Sequence, residues 1–189
     1  MKKTAFPFAV CLLFCATLFM AVSCGKPQPD PPSEDVGVAR LVTTEYPYEA
    51  VYTPYLTDAQ GERAPEVGII TSRTELIRFV SLYENSYDFT DSTRSMCYYD
   101  AVTQYDEQYF ETQSLVVVVL TAKSPSTEYK SEGIGKTDTG YDVRIRASTP
   151  ASAIPGETDW HIFIEVPNGS LFLLEPENIR VRVVESKSY

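Results

Sequence analysis

The sequence predicts a β-rich α+β domain: about seven short, mostly antiparallel strands, arranged as a sandwich or a partly open barrel, with one or two helices. Three observations carry this. "SLVVVVLTA" (114–122) is a continuous β-branched run of strand length, suited to a central position buried on both faces. "GYDVRIRAST" (140–149) and "DWHIFIEVP" (159–167) alternate with the period of two that a pleated strand requires. "SRTELIRFVSLYEN" (72–85) changes to helical spacing, with Leu76, Phe79, Val80 and Tyr83 along one face.

The elements follow in order. "VARLVTT" (38–44) reads as a first strand. "EYPYEAVYTPYL" (45–56) alternates tyrosines, but Pro47 and Pro54 restrict it to an edge strand or an extended loop. A turn region at 57–65 precedes a short strand, Glu66–Ile70. Ser72 stands three residues before Glu75, the spacing of a capping box, so the helix starts there. Val102, Tyr105, Tyr109 and Phe110 recur at helical spacing and predict a second short helix. Further strands are expected at 126–135 and 178–185. Asn168-Gly169 encodes a hairpin turn leading to a short strand, Leu171–Leu174. In "DWHIFIEVP", Trp160, Ile162, Ile164 and Val166 fall on one face, fit for a core. His161, Phe163 and Glu165 fall on the other, where His161 is expected to be paired with Glu165 or solvated.

The N-terminus reads as an export signal over residues 1–23: Lys2 and Lys3, an apolar run from Ala5 to Val22, then small residues before Cys24. Ala21-Val22-Ser23-Cys24 resembles the lipobox of bacterial lipoproteins, with Ala21 where leucine is usual. The resemblance implies that Cys24 carries the lipid and anchors the chain to a cell membrane, facing outside the cytoplasm. Cleavage after Ser23 without a lipid is the alternative. Residues 24–36 form a tether, with four prolines between Lys26 and Pro32 and too few apolar side chains to fold. The globular domain spans 37–189, enough chain for one core. Cys11 and Cys15 lie in the signal, so Cys97 is the one thiol left to the domain, and packing alone must hold it.

Composition bounds the partners. The formal charge is −10, from 26 acids against 16 bases, and loss of Lys2 and Lys3 makes it more negative. Such a chain repels nucleic acid, and it is expected to be repelled by anionic headgroups, leaving membrane attachment to acyl chains. Candidate chemistry is sparse. "GIGKT" (133–137) lacks the first glycine of a phosphate loop, has Lys130 there, and is followed by a turn and a strand rather than a helix. Cys97 and His161 are the one pair that could form a thiolate–imidazole site, though "RSMCYYD" carries no nucleophile motif and a half-buried structural thiol competes with it. Asp88/Asp91 and Glu165/Glu175 are acidic pairs of the kind that 26 acids produce by number alone. One histidine and one domain thiol argue against a metal site, and no cofactor motif is present. Asn168-Gly169-Ser170 fits a glycosylation acceptor but is better explained by the turn. The tyrosines are the one suggestive surface feature. Tyr46, Tyr48, Tyr52 and Tyr55 could present flat, polar-tipped rings to a sugar or peptide, or lie half-buried on sheet faces.

From about Tyr105 onward, "YDEQYFETQSLVVVVLTA", "GKTDTGYDVRI" and "DWHIFIEVP" resemble the C-terminal domain family of the protease-complex subunit PrcB, found among bacterial exported proteins and lipoproteins. The proline often seen before the glycine–tyrosine turn is missing. The resemblance covers about half of the chain after the signal. It implies a small β-rich domain and no catalytic residues. The expected function is therefore a lipid-anchored extracytoplasmic protein that binds a protein partner in a non-enzymatic or accessory role. A sugar- or peptide-binding module is the alternative, and a hydrolase using Cys97 and His161 or an acidic pair comes third.

Overall fold

The β-branched run at 114–122 lies at the centre of the fold, as burial on both faces requires. The computed structural model describes residues 42–56, 61–170 and 175–188, all within the compact unit Ala39–Tyr189. The expected signal 1–23, Cys24, the tether 24–36 and the strand Leu171–Leu174 lie outside the described residues.

Eight strands, three α-helices and one 3-10 turn are described. In order they are β1 (Thr43–Thr44), β2 (Tyr48–Thr53), β3 (Val67–Ile70), α1 (Arg73–Tyr83), α2 (Tyr98–Thr103), α3 (Glu107–Phe110), β4 (Gln113–Ala122), β5 (Glu128–Lys136), β6 (Tyr141–Pro150), β7 (Thr158–Pro167), a 3-10 turn (Pro176–Asn178) and β8 (Ile179–Ser188). The strands form two four-stranded sheets. Sheet I has the order β2-β7-β4-β3 and sheet II the order β1-β5-β6-β8. All neighbours are antiparallel except β6 and β8. Between these two the chain crosses into sheet I as β7 and returns, so it re-enters sheet II in the direction it left. The β-rich α+β expectation is met, among the described residues, as two open sheets rather than a closed barrel.

The alternation in β4 and β7 splits the core into two. Val116, Val118, Ile162, Ile164 and Val166 point toward sheet II and meet Ile134, Val143 and Ile145. Leu115, Val117, Val119 and Phe163 point the other way, onto Leu76, Tyr98, Ala101, Val102 and Phe110 of the helices. The result is three layers: helices, sheet I, sheet II. Trp160 packs against Tyr52 and Ala122 at the margin of the inter-sheet core. Burial of each such branched side chain stabilises by roughly 1.5–3 kcal/mol, so sheet I is held from both sides.

Local signals account for the ends of the elements. Ser72 caps α1 by accepting from the Glu75 amide at 3.2 Å. β2 is an edge strand bounded by Pro47 and Pro54, whose carbonyls accept from Glu165 and Asp88. The single second helix expected from the Val102–Phe110 spacing is two short ones. The Asp106 carboxylate accepts from the Tyr109 amide at 2.8 Å, and this cap starts α3 afresh after α2 has ended at Gln104. Of the strand expected at 38–44, Thr43 and Thr44 are the described strand residues; they pair with Ile134 and Gly135. Gly133 makes that pairing possible. It follows a bulge in β5 with φ 103°, and a Cβ there would lie 2.3 Å from the Thr44 carbonyl oxygen. The Asn168-Gly169 turn forms with Gly169 at φ 81°, and the Asn168 side chain bonds Ser114 Oγ and the Phe110 carbonyl.

Candidate functional site

Two of the places where polar or concave features gather bear on function: a set of polar side chains under the helix layer, and a cleft at one end of the two sheets.

The first is built by strand register. Asp159 on β7 stands opposite Thr53 of β2 on one side and Thr121 of β4 on the other. Its carboxylate is almost wholly buried, at 1 % exposure. Thr121 Oγ1 donates to Oδ1 at 2.6 Å and Tyr87 Oη donates to Oδ2 at 3.0 Å. Arg63 Nε lies 3.9 Å from Oδ2 and Arg63 also pairs with exposed Glu157. Tyr87 Oη in turn accepts from the Ala64 amide at 3.1 Å. A buried carboxylate survives only when its oxygens are supplied with donors and a counter-charge, and all of these are present. Burial raises the Tyr87 hydroxyl above its ordinary pKa, and the Asp159 charge adds to this, so the phenol stays a donor.

His161, two residues on, is completely buried. Thr53 Oγ1 donates to the Asp159 carbonyl at 3.1 Å and lies 2.7 Å from His161 Nδ1. One hydroxyl hydrogen cannot serve both, so Nδ1 carries a proton and donates to the Thr53 oxygen. The rings of Phe79, Tyr87, Phe89 and Tyr98 stand edge-on around the imidazole, with centroids 5.0–6.0 Å away. This apolar wall pushes the imidazole pKa down from 6.5 to about 3. His161 Nε2 finds no hydrogen-bond partner among the described residues. The expectation that His161 is solvated or paired with Glu165 is therefore corrected. Helices cover that face of β7, and the ring bonds to Thr53 of the neighbouring strand.

The remaining candidates separate. The Cys97 thiol is half-buried and caps α2, with Sγ accepting from the Asp100 amide at 3.4 Å. It forms no hydrogen bond with either ring nitrogen of His161, so the thiolate–imidazole pair is not assembled. Asp88 and Asp91 fold back on Thr90 and Thr93 in local turns. Burial raises the Glu165 pKa, with the Glu49 charge adding to it, while Glu175 is exposed beside the 3-10 turn. Among the described residues no group of three potential metal ligands converges. "GIGKT" is the end of β5 and leads through a turn into β6, a strand, rather than into a helix.

The four tyrosines do not share one surface. Tyr46 and Tyr48 pack half-buried against the inter-sheet core, and Tyr52 is buried edge-on against Trp160, ring centroids 5.5 Å apart. Tyr55 lies on the helix side, stacked edge-on to Tyr87, with its hydroxyl on the Gly61 carbonyl.

The second place was not legible in the sequence. Where β4 and β6 end and β5 begins, the sheets diverge around a cleft of about 700 Å³. Leu120, Ala122, Tyr129, Ala147, Ala151 and Val183 give it an apolar lining. Its hydroxyls are largely engaged: Ser124 Oγ donates to the Ile154 carbonyl at 2.7 Å, Ser186 Oγ to the Ala147 carbonyl at 3.2 Å, and Thr127 and Thr149 bond each other at 2.9 Å. Lys123 and Glu185, both exposed, also border it. A concave, mainly apolar opening with charge at its mouth is the form of a binding site for an apolar group. The one advance signal was the pair of alanines, Ala122 and Ala147, at inward positions of strands that are otherwise bulky.

No family model matches the chain, and no curated protein or solved structure matches it significantly. Among the described residues no helix is long and apolar enough to cross a membrane.

Proposed function

We propose that this chain is a lipid-anchored, extracytoplasmic protein with a non-enzymatic binding or accessory role in the cell envelope, of the kind a protease-complex subunit plays. One observation carries the reading. His161 is fully buried under the helices and Asp159 is 1 % exposed with its donors already supplied, while a cleft of about 700 Å³ has a mainly apolar lining and, among the described residues, brings no acid–base or nucleophile pair together. Catalysis needs a reactive group within reach of substrate. Binding needs a shaped apolar surface, and the cleft supplies one. The export-type N-terminus with Cys24 supports the anchor, and the likeness of residues 105–167 to the PrcB C-terminal family supports the accessory role. Within this reading, apolar side chains of a protein partner suit the cleft better than a sugar does, because so much of its lining is carbon.

The anchor is tested by metabolic labelling with a fatty-acid probe: the chain should label, and Cys24→Ala should not. The binding role is tested with a photo-crosslinking residue at Val183, 44 % exposed at the cleft, and at Met96, 46 % exposed on the helix side. One partner should be captured from Val183 and not from Met96, and a bulky Ala147→Trp replacement should abolish capture. Equal capture from both positions, or capture indifferent to Ala147→Trp, would refute the role given to the cleft.

A further inference from the structure

An open sheet edge exposes a row of unpaired backbone N–H and C=O groups, and folds blunt such edges by shortness, proline, bulges or charge. Three of the four edges described here follow this rule. β1 has two described residues, β3 has four, and β2 is bounded by Pro47 and Pro54. β8 departs from it. It runs ten residues without proline, and its register with β6 is unbroken from Ile179 to Ser188. Among the described residues no backbone group pairs with its other side. Arg180 and Arg182 guard its first half with charge, but Val183 and Val184 follow, 44 % and 51 % exposed.

This half of the edge borders the cleft. Val183 stands opposite Ile145, an inward residue of β6, and both Val183 and Glu185 line the opening of about 700 Å³. Across from them sheet I is one strand narrower. β3 pairs with Leu115–Val118 and reaches no further, so no described strand flanks Leu120 and Ala122 on that side. A strand laid beside β8 would lie about 4.8 Å from it, with every second side chain pointing between the sheets. The edge then supplies main-chain hydrogen bonds and the cleft supplies room for alternate side chains, the two parts of recognition by strand addition. Ala122 and Ala147 make that room by being small.

Size and charge decide what fits. Six extended residues span about 20 Å and packed sheets stand about 10 Å apart, a patch of roughly 200 Å² against the ~800 Å² per partner of stable folded complexes. A second copy of this chain is also opposed by charge. Each copy carries a formal charge of −10. The two-fold antiparallel registers that set only valine or isoleucine opposite Val183 and Glu185 bring Arg182 opposite or diagonal to Arg182 of the other copy. Charged side chains are kept out of the cleft by desolvation, because its hydroxyls already bond one another or nearby carbonyls.

We infer that the open edge of β8, from Arg182 to Ser186, takes up an extended segment of a partner protein as a further strand of sheet II, with its alternate apolar side chains in the cleft. The inference rests on the binding role given to the cleft. It adds the mode of recognition: main chain at the edge, uncharged side chains beneath it.

The probe is a fluorescein-labelled peptide, Thr-Val-Thr-Val-Thr-Val-Thr, titrated with the full chain isolated from expressing cells. It should bind, and the same residues arranged in blocks, Val-Val-Val-Thr-Thr-Thr-Thr, should bind at least about tenfold more weakly, because the valines no longer share a face. Only alternate amides of an added strand face β8. Of two peptides N-methylated on the valines or on the threonines, one should therefore lose binding and the other keep it. In the chain, exchange of alternate amides between Arg182 and Ser186 should slow by about tenfold when the peptide is bound. Val183→Asp and Ala147→Trp should each abolish binding, while Leu82→Ala, at an exposed position of α1, should leave it intact. Thermal melting shows whether each variant is folded, and the amide exchange of the parent chain decides if Val183→Asp is not. Equal binding of the two N-methylated peptides, unchanged exchange at β8, or no binding at all overturns the inference. A dimer of the chain in light scattering that Val183→Asp breaks would give the edge to a second copy and also overturn it. The two readings fail differently. Loss of binding in Ala147→Trp together with equal binding of the methylated peptides keeps the cleft and removes the strand, whereas binding indifferent to Ala147→Trp removes both.

Discussion

Thr53 Oγ1 lies 2.7 Å from Nδ1 of His161, and this contact joins the edge strand β2 to the buried histidine of β7. The hydroxyl also binds the Asp159 carbonyl, so one side chain fixes the tautomer of the imidazole and ties two strands together. The rest of its surroundings are apolar: the rings of Phe79, Tyr87, Phe89 and Tyr98, and Val51 and Val119 opposite it on the neighbouring strands. The histidine is therefore a structural element whose energetics can be measured.

The first prediction concerns pH. The folded-state pKa of His161, about 3, lies below the unfolded value of 6.5. The unfolded chain takes up a proton that the folded chain refuses, so the stability due to neutral His161 is fully present above pH 6.5. It declines as pH falls toward 3, with a slope approaching about 1.4 kcal/mol per pH unit. Urea unfolding at pH 7 and pH 5 should show a smaller loss for His161→Gln than for the parent chain. Equal losses would mean that the ring is not held neutral by the fold.

The second concerns the buried carboxylate. Tyr87→Phe removes one donor from Asp159 and leaves the Ala64 amide without its acceptor, at a cost of about 1–3 kcal/mol. Asp159→Ala strands the buried Tyr87 hydroxyl and removes the acceptor of Thr121 and the counter-charge of Arg63, and should cost more. Because the residues share one network, the double variant should be less destabilised than the sum of the singles, by about 0.5–3 kcal/mol. Additivity in denaturant melts would contradict the network.

Cys97 provides a test of role. Its sulfur caps α2 over a long 3.4 Å contact, and serine is a better cap than a thiol. Cys97→Ser should therefore leave stability unchanged or raise it by about 0.5 kcal/mol, with crosslinking from Val183 undisturbed. A large loss of partner capture would give the thiol a function that its geometry does not suggest.

Gly133 tests how the edge of sheet II is joined. A methyl group at φ 103°, placed 2.3 Å from the Thr44 carbonyl oxygen, forces β1 off β5 or strains the bulge. Gly133→Ala should cost more than about 1 kcal/mol. Amide exchange should accelerate at Thr43 and Thr44 while the centre of β4 stays protected. Unchanged exchange at β1 would show that the bulge tolerates a side chain.

Much of the architecture was legible beforehand because it follows from short-range rules. The run at 115–120 could satisfy its apolar surface only between two layers, and β4 lies between two layers. Ser72 and Glu75 announced α1, and the prolines around β2 announced an edge. The break between α2 and α3 was missed because apolar spacing continued across it, and Asp106 acted as a cap where periodicity alone implied an uninterrupted helix. The tyrosines at 46–55 were legible as half-buried sheet residues, but not their division between two cores.

By itself the sequence determined the period of each segment, and with it which side chains share a face: Trp160, Ile162 and Ile164 together, His161 and Phe163 together. What lies against each face was decided only by the tertiary structure. Helices roof His161 and hold it neutral. Threonines from β2 and β4 enclose Asp159, the ends of the sheets open a cleft beside Ala122 and Ala147, and register places Arg144 beside Arg182. The physical reason is range. Alternation and capping act within a few residues of the chain, whereas exposure, cavity and charge at a surface are set by pairings between segments tens of residues apart, which no local spacing encodes.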